Sequence, residues 1–158
     1  MKAGRGAGSP AKLETVGRLA RFLDADDFGA AAGLIAPDCE YRARRETLVG
    51  REAIVASYAA SSRSGREHQI AVTYSSEIES AVGDEVPVLF TDDLVLEGRP
   101  HRYRCRQWFR VRDDGLVDRI VHEDIGAERS ALEAFLRAGG ITVGVDDAGA
   151  PPGPAGET

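Results

Sequence analysis

Ile120-Val121-His122-Glu123-Asp124 places a histidine beside two acids, at the end of a segment that alternates as a β-strand does. Imidazole, with an unperturbed pKa of about 6.5, exchanges protons near neutrality. Asp124 lies two residues on and shares the strand face of His122, where a carboxylate can orient the ring and raise its pKa. His122 is thus one candidate acid/base; the alternative is a half-solvated residue where a strand runs out. Asp92 is the second candidate. It interrupts an apolar side formed by Val86, Val88, Phe90, Leu94 and Leu96. If the alternation holds, its carboxyl points into an apolar cavity, where burial disfavours the charge and makes it a usable acid/base. A β-bulge at Asp92-Asp93 would instead turn both to water.

The segment His101–Arg112 alternates cleanly. His101, Tyr103, Cys105, Gln107, Phe109 and Val111 face one way, and Arg102, Arg104, Arg106, Arg110 and Arg112 the other. On the first side, Gln107 can orient a carbonyl but cannot move a proton. Tyr103 can donate to an oxyanion or pack in the core with its hydroxyl satisfied. His101 lies next to a turn, where solvation competes with a pocket role. The five arginines form an outer charged face, paired with acids such as Glu77, Glu79, Asp118 and Glu123, and do not read as a phosphate site. Trp108 belongs to that outer face, which suggests stacking at a subunit contact.

Positioning these residues requires helices before a sheet. Leu13, Val16, Leu19, Ala20 and Leu23 repeat at three and four, which predicts a first helix. Asp26 or Asp27 caps a second, shorter one, Phe28–Ala36, with Phe28, Ala31, Leu34 and Ile35 inward and Pro37-Asp38 as its end. A short strand starts at Cys39. A third helix opens at Gly50, with Ile54 and Tyr58 four apart on one face. Strands follow in His68–Val82, Val86–Gly98, His101–Arg112 and Leu116–Ile125, the last two joined by the hairpin turn Asp113-Asp114-Gly115. A final helix carries Leu132, Phe135 and Leu136 inward and is stopped by glycines. Helices first and an antiparallel sheet after make the class α+β, with one domain over residues 11–143. Residues 1–10 and 144–158, rich in Gly, Ala and Pro, read as disordered tails.

The bulk numbers bound the partners. The 158 residues carry a net charge of −6 and no apolar run long enough for a membrane helix, so neither nucleic acid nor membrane is expected. The N-terminal residues lack the apolar stretch of a secretory signal, which makes a cytoplasmic location the default. Cys39 and Cys105 fit no metal spacing and read as buried thiols; no metal and no cofactor is expected.

Two stretches carry a resemblance. Asp26–Tyr58, "DDFGAAAGLIAPDCEYRARRETLVGREAIVASY", joins a short helix ending in Ala-Pro-Asp to a strand, a variable loop and a Gly-Arg-Glu-Ala-Ile helix start. Phe109–Ile125, "FRVRDDGLVDRIVHEDI", is a closing hairpin with a glycine turn before the last strand. Together they resemble the SnoaL-like members of the nuclear-transport-factor-2-like superfamily, which includes polyketide cyclases, ketosteroid isomerases, scytalone dehydratases and limonene epoxide hydrolases. The resemblance implies a cone: a curved antiparallel sheet wrapped by N-terminal helices, plus a C-terminal helix, around a partly apolar pocket, with dimerisation across the open sheet. It also implies chemistry by pocket carboxylates, histidines and tyrosines. SnoaL-type cyclases place an acid/base aspartate seven residues after the hairpin glycine, which here is His122. The isomerase base falls near Tyr41, flanked by Glu40, and is not clearly retained; the hydrolases' Arg-x-Asp run has no counterpart.

Two functions remain in view. One is a cofactor-independent acid/base enzyme for a small apolar carbonyl or polyketide-like compound, working by cyclisation, isomerisation or dehydration. His122 and Asp92 would be catalytic, with Tyr41, Tyr58, His101, Tyr103, Gln107 and Asp124 binding substrate. The other is a non-catalytic small-ligand-binding or dimerisation module. A homodimer is expected in either case.

Overall fold

The computed structural model describes residues 9–142; of the expected tails at 1–10 and 144–158, all but Ser9 and Pro10 lie outside them. Helix α1, Pro10–Asp24, begins earlier than the composition suggested. Ser9 is its N-cap, accepting from the Lys12 N–H at 3.1 Å, and Pro10 fills the first turn, where a missing N–H costs nothing. Its buried face is Val16, Gly17, Leu19, Ala20 and Leu23.

The second helix is shorter than expected. Helix α2 spans Phe28–Ala32, capped by Asp27 and ended by Gly33. Leu34 to Ala36 are not helical: strand β1 runs Ile35–Arg42, and Val117 N–H donates to Leu34 C=O. The apolar run suited helix and buried strand alike, and β-branched Ile35, fully buried, went to the sheet. Pro37 therefore does not end a helix; it lies within the strand. Lacking an N–H, it occupies an irregularity between Ile35 and Glu40, where the Arg51 Nε donates to the Ile35 C=O at 2.8 Å.

A short edge strand, β2 (Thr47–Val49), was not foreseen in the loop before Gly50. Helix α3 is Arg51–Glu67, followed by β3 Ala71–Ile78, β4 Glu85–Leu96, β5 Arg99–Val111, β6 Val117–Asp124 and helix α4 Glu128–Ala138. The sheet order is β2-β1-β6-β5-β4-β3. All neighbours are antiparallel except β1 and β6, which run parallel, so the expected antiparallel sheet is mixed at that one seam.

The sheet is curved and unclosed, with the helices on one face. Along β4 and β5 the alternation divides the faces as the sequence predicted. Val86, Val88, Leu94, Leu96, Tyr103, Cys105, Gln107, Phe109 and Val111 are all buried on the helix side. They do not form one core. Val86, Val88, Phe109 and Val111 pack with α1, α2, Ile54 and β1. Leu94, Leu96, Tyr103 and Cys105 pack instead with Leu132, Phe135 and Leu136 of α4. Phe90 touches both clusters, and Asp92 and Gln107 lie on the inner face where the clusters part.

On the outer face four of the five arginines are paired, though not with all the acids expected. Arg106 meets Glu79 and Glu123, Arg110 meets Asp118, Arg102 meets Asp93, and Arg112 meets Asp114 and Asp38; Glu77 is not among these partners. Trp108 Nε1 donates to Glu123 at 2.8 Å. Solvent screening leaves such exposed pairs worth little, so they order the surface more than they hold the fold. Among the described residues, no helix is long and apolar enough to cross a membrane.

Gly50 joins β2 to α3 at φ +106° and ψ 140°, a region effectively closed to other residues. Its N–H donates to Cys39 C=O and its C=O accepts from Ile54 N–H, so the turn cannot relax without losing both bonds. Gly50→Ala should therefore lower the unfolding free energy by about 1–3 kcal/mol in urea denaturation. Gly29→Ala, in α2 with open space around the added methyl, should not lower it.

Candidate functional site

Where the two clusters separate there is a cavity of about 720 Å³, its mouth included. The end of α1 contributes Leu23, Asp24 and the following Asp26; α2 contributes Phe28; α3 contributes Tyr58, Ser61, Ser62 and Gly65. The sheet supplies Ile70, Val72 and Tyr74, then Phe90, Asp92 and Leu94, then Cys105 and Gln107. The wall is thus mostly hydrocarbon, with polar groups gathered at two places.

The first is Asp92. It stays within the regular β3–β4 ladder, opposite Tyr74, so no bulge turns it to water. Its outward neighbour Asp93 takes two hydrogen bonds from Arg102, which hold the Asp93 carboxyl below the usual range. Asp92 makes no side-chain hydrogen bond among the described residues. Burial raises its pKa to about 7, and the negative charges of Asp24 and Asp93 add to the rise. Asp24 is raised too, mainly by burial, and is partly relieved by a 2.5 Å bond from the Ser76 hydroxyl.

The hydroxyls around this carboxyl are already committed. Ser62 has one hydrogen and gives it to Asp26 at 2.8 Å, so across the 3.2 Å contact with Tyr74 it is the tyrosine that donates. Tyr74 therefore cannot stabilise an Asp92 carboxylate as a donor. The Tyr74 phenol is itself held above its normal pKa, chiefly by burial. Ser61 differs: among the described residues its buried Oγ has no partner.

The second polar place is a chain that leaves the wall. Tyr58, stacked on Tyr41 with centroids 5.9 Å apart, donates to Gln107 Oε1 at 2.6 Å. Gln107 Nε2 reaches Tyr41 Oη at 3.3 Å and His122 Nδ1 at 3.4 Å. His122 Nε2 meets Asp124 Oδ1 at 3.0 Å, and Arg44 meets the other Asp124 oxygen at 2.9 Å. The bond with His122 holds the Asp124 pKa below its usual value, with further help from the charges of Arg44 and Arg129.

Of the residues expected to face substrate, Asp92, Tyr58 and Gln107 line the cavity together. His122 does not: it lies on the same sheet face but behind Gln107, its side chain only 1 % exposed and both ring nitrogens engaged. The strand period gave its face correctly but not its depth. Asp124 and Tyr41 lie in the same layer, off the wall. Tyr103 is buried against the α4 cluster, and His101 stacks on Phe135 at 4.8 Å, so these two face the C-terminal helix. Asp24, Asp26, Ser61, Ser62 and Tyr74 were missed. Tyr74 was legible in principle, because it alternates with Val72 on the apolar side of its strand; the α1 acids follow a helix end and read as ordinary caps.

Cys105 is on the wall, but burial holds its thiol well above its normal pKa, and Asp92 and Asp124 push it further, so it is no thiolate nucleophile. Among the described residues, no group of three His, Cys, Asp or Glu side chains is placed to hold a metal ion.

Comparison with known proteins agrees with this architecture. No curated protein matches the sequence. Among solved structures, a proposed polyketide cyclase from Xanthomonas campestris pv. campestris superposes with a TM-score of 0.59 at 14% identity, over 76% of this chain and 93% of that one. A proposed polyketide cyclase from Pseudomonas putida KT2440 gives 0.59 at 16%, over 77% and 96%. At such identities the likeness is one of fold. The SnoaL-like domain model matches residues 16–124, from the first helix through the end of the last strand, and the chain belongs to that family.

Proposed function

We propose that the protein is a cofactor-independent acid/base catalyst for a small apolar carbonyl or polyketide-like compound, with Asp92 carrying the proton. The observation behind this reading is a carboxyl on a hydrocarbon wall that takes no side-chain hydrogen bond among the described residues; burial pushes its pKa up to about 7. Near neutrality it is divided between base and acid, the condition under which one group can both remove and return a proton. As carboxylate it takes a proton from the carbon beside the carbonyl. As neutral acid it gives that proton back at the position that completes isomerisation, ring closure or loss of water. The likeness in fold to proposed polyketide cyclases supports the substrate class. His122, expected as the base, is set behind the wall, and in this reading the proton does not pass through it.

The same reading takes the molecule as a homodimer in a reducing, cytoplasmic setting, which two free thiols suit. Leu89, Trp108 and Val121 lie on the sheet face away from the helices, amid the paired charges, and would form the contact.

The raised pKa makes Asp92 a stability cost as well. Its folded-state value of about 7 exceeds the normal 3.8, so the folded form binds the proton more tightly than the unfolded chain. Stability linked to Asp92 is complete below about pH 3.8 and declines as pH rises through about 7. Asp124 acts oppositely: its lowered value stabilises the fold above the unfolded pKa, and this is lost as pH falls through the folded one. In thermal unfolding, Asp92→Asn should therefore gain on the wild type between pH 4 and pH 8. A difference that does not vary with pH would show that the carboxyl is not held in the cavity as described.

Catalysis is checked by proton exchange. In D₂O, the wild type should speed exchange at the carbon beside the carbonyl of an apolar ketone such as 1-tetralone. Asp92→Asn should reduce that by about 10²–10⁴-fold. Saturable binding of the ketone with exchange equal in both proteins would leave a binding module and end the catalytic reading.

A further inference from the structure

The hydrogens that Tyr58, Gln107 and His122 share along this chain can be assigned, because the assignment starts from a charge. Asp124 is a carboxylate held by Arg44, so the His122 nitrogen facing it, Nε2, carries the proton. In the neutral ring Nδ1 is then an acceptor, and the Gln107 group facing it must be the amide NH₂. The other amide hydrogen goes to Tyr41 Oη, which leaves Gln107 Oε1 to accept from Tyr58 at 2.6 Å. The reverse amide orientation would need a hydrogen on both ring nitrogens. Tyr58 and Gln107 both line the cavity, and both have spent their hydrogens away from it. From Tyr58 and Gln107, only oxygen lone pairs remain for a ligand.

We propose that His122 is a positioning residue that, through Gln107, keeps the Tyr58 end of the cavity a hydrogen-bond acceptor, and that the compound bound there is a hydroxy-carbonyl whose hydroxyl donates to this end. The carbonyl half rests on the acid/base reading of Asp92; the hydroxyl half stands on the hydrogen-bond chain alone. A hydroxyl supplies the one hydrogen this end lacks, whereas an ether places a third acceptor against two and leaves all of them unpaired.

The probes are 6-hydroxy-1-tetralone and its methyl ether, 6-methoxy-1-tetralone, titrated by calorimetry. The wild type should bind the hydroxy compound about tenfold or more tightly. His122→Asn, whose side-chain oxygen can accept where Nδ1 did but which cannot carry a proton, should keep the preference. His122→Leu, with no acceptor, should lose it while the affinity for the methyl ether stays unchanged. Gln107→Leu provides a second route should His122→Leu fail to fold: it frees the Tyr58 hydrogen to point into the cavity and should turn the preference towards the ether. Equal affinities in the wild type, no saturable binding of either probe, or a preference that survives in both leucine variants would overturn the proposal. Asp92→Asn should retain the preference. If tetralone exchange fails while this discrimination holds, only the acid/base reading falls; the converse removes only the role given to His122.

Discussion

A carboxyl without a partner in a hydrocarbon wall is the feature from which the rest of this molecule can be understood. Burying an ionised group uncompensated is among the costlier things a fold can do, and the usual remedies are a cation or several donors. Asp92 has neither. Its neighbour Asp93 has both on the outer face, in the form of Arg102, only one residue away along the same strand. The strand period alone separates the two environments. The response left to Asp92 is to hold its proton, and that makes its carboxyl the group in the cavity best matched to proton transfer at neutral pH.

Such a carboxyl persists because the surrounding fold holds it. The sheet bears two apolar clusters on one face, one closed by α1, α2 and α3 and the other by α4. Were they continuous, the space at Asp92 would be filled by side chains and the position would have to be apolar. Among the described residues Phe90 alone packs against both, and the gap becomes the cavity. The α4 helix is therefore more than a lid on an open sheet end. It packs on Leu94, Leu96, Tyr103 and Cys105, and of these Leu94 and Cys105 also form part of the cavity wall.

The polar groups around the cavity divide by whether their hydrogens are committed. Ser62, Tyr74 and Tyr58 each give theirs to the wall, and Gln107 gives both of its own to the layer behind. These bonds fix side chains in place without offering donors to a ligand. Ser61 is an exception, its buried Oγ having no partner among the described residues, and Asp92 takes no side-chain hydrogen bond among them. Uncommitted groups of this kind would orient an unsymmetrical molecule even though most of the wall is featureless hydrocarbon.

How much of this could be read from the sequence follows from which physical rules act locally. Faces were legible: the period of two placed Asp92, Gln107 and His122 on the inner side and the arginines outside, and the structure agrees. The closing hairpin was legible because Gly115 adopts φ +87°, as its turn requires. Depth was not legible. Gln107 and His122 are cross-strand partners on one face, yet one lines the cavity and the other backs it, since a curved sheet sends the same side-chain direction to different places along its length. Nor could local pattern settle Leu34–Ala36, where an apolar run fits helix and strand equally and the pairing of Ile35 with the distant Val117 decided. The histidine that drew attention for its chemistry thus has a different position from the one its strand face suggested. Its ring lies one layer behind the cavity wall, with one nitrogen towards the Gln107 amide and the other towards the Asp124 carboxylate.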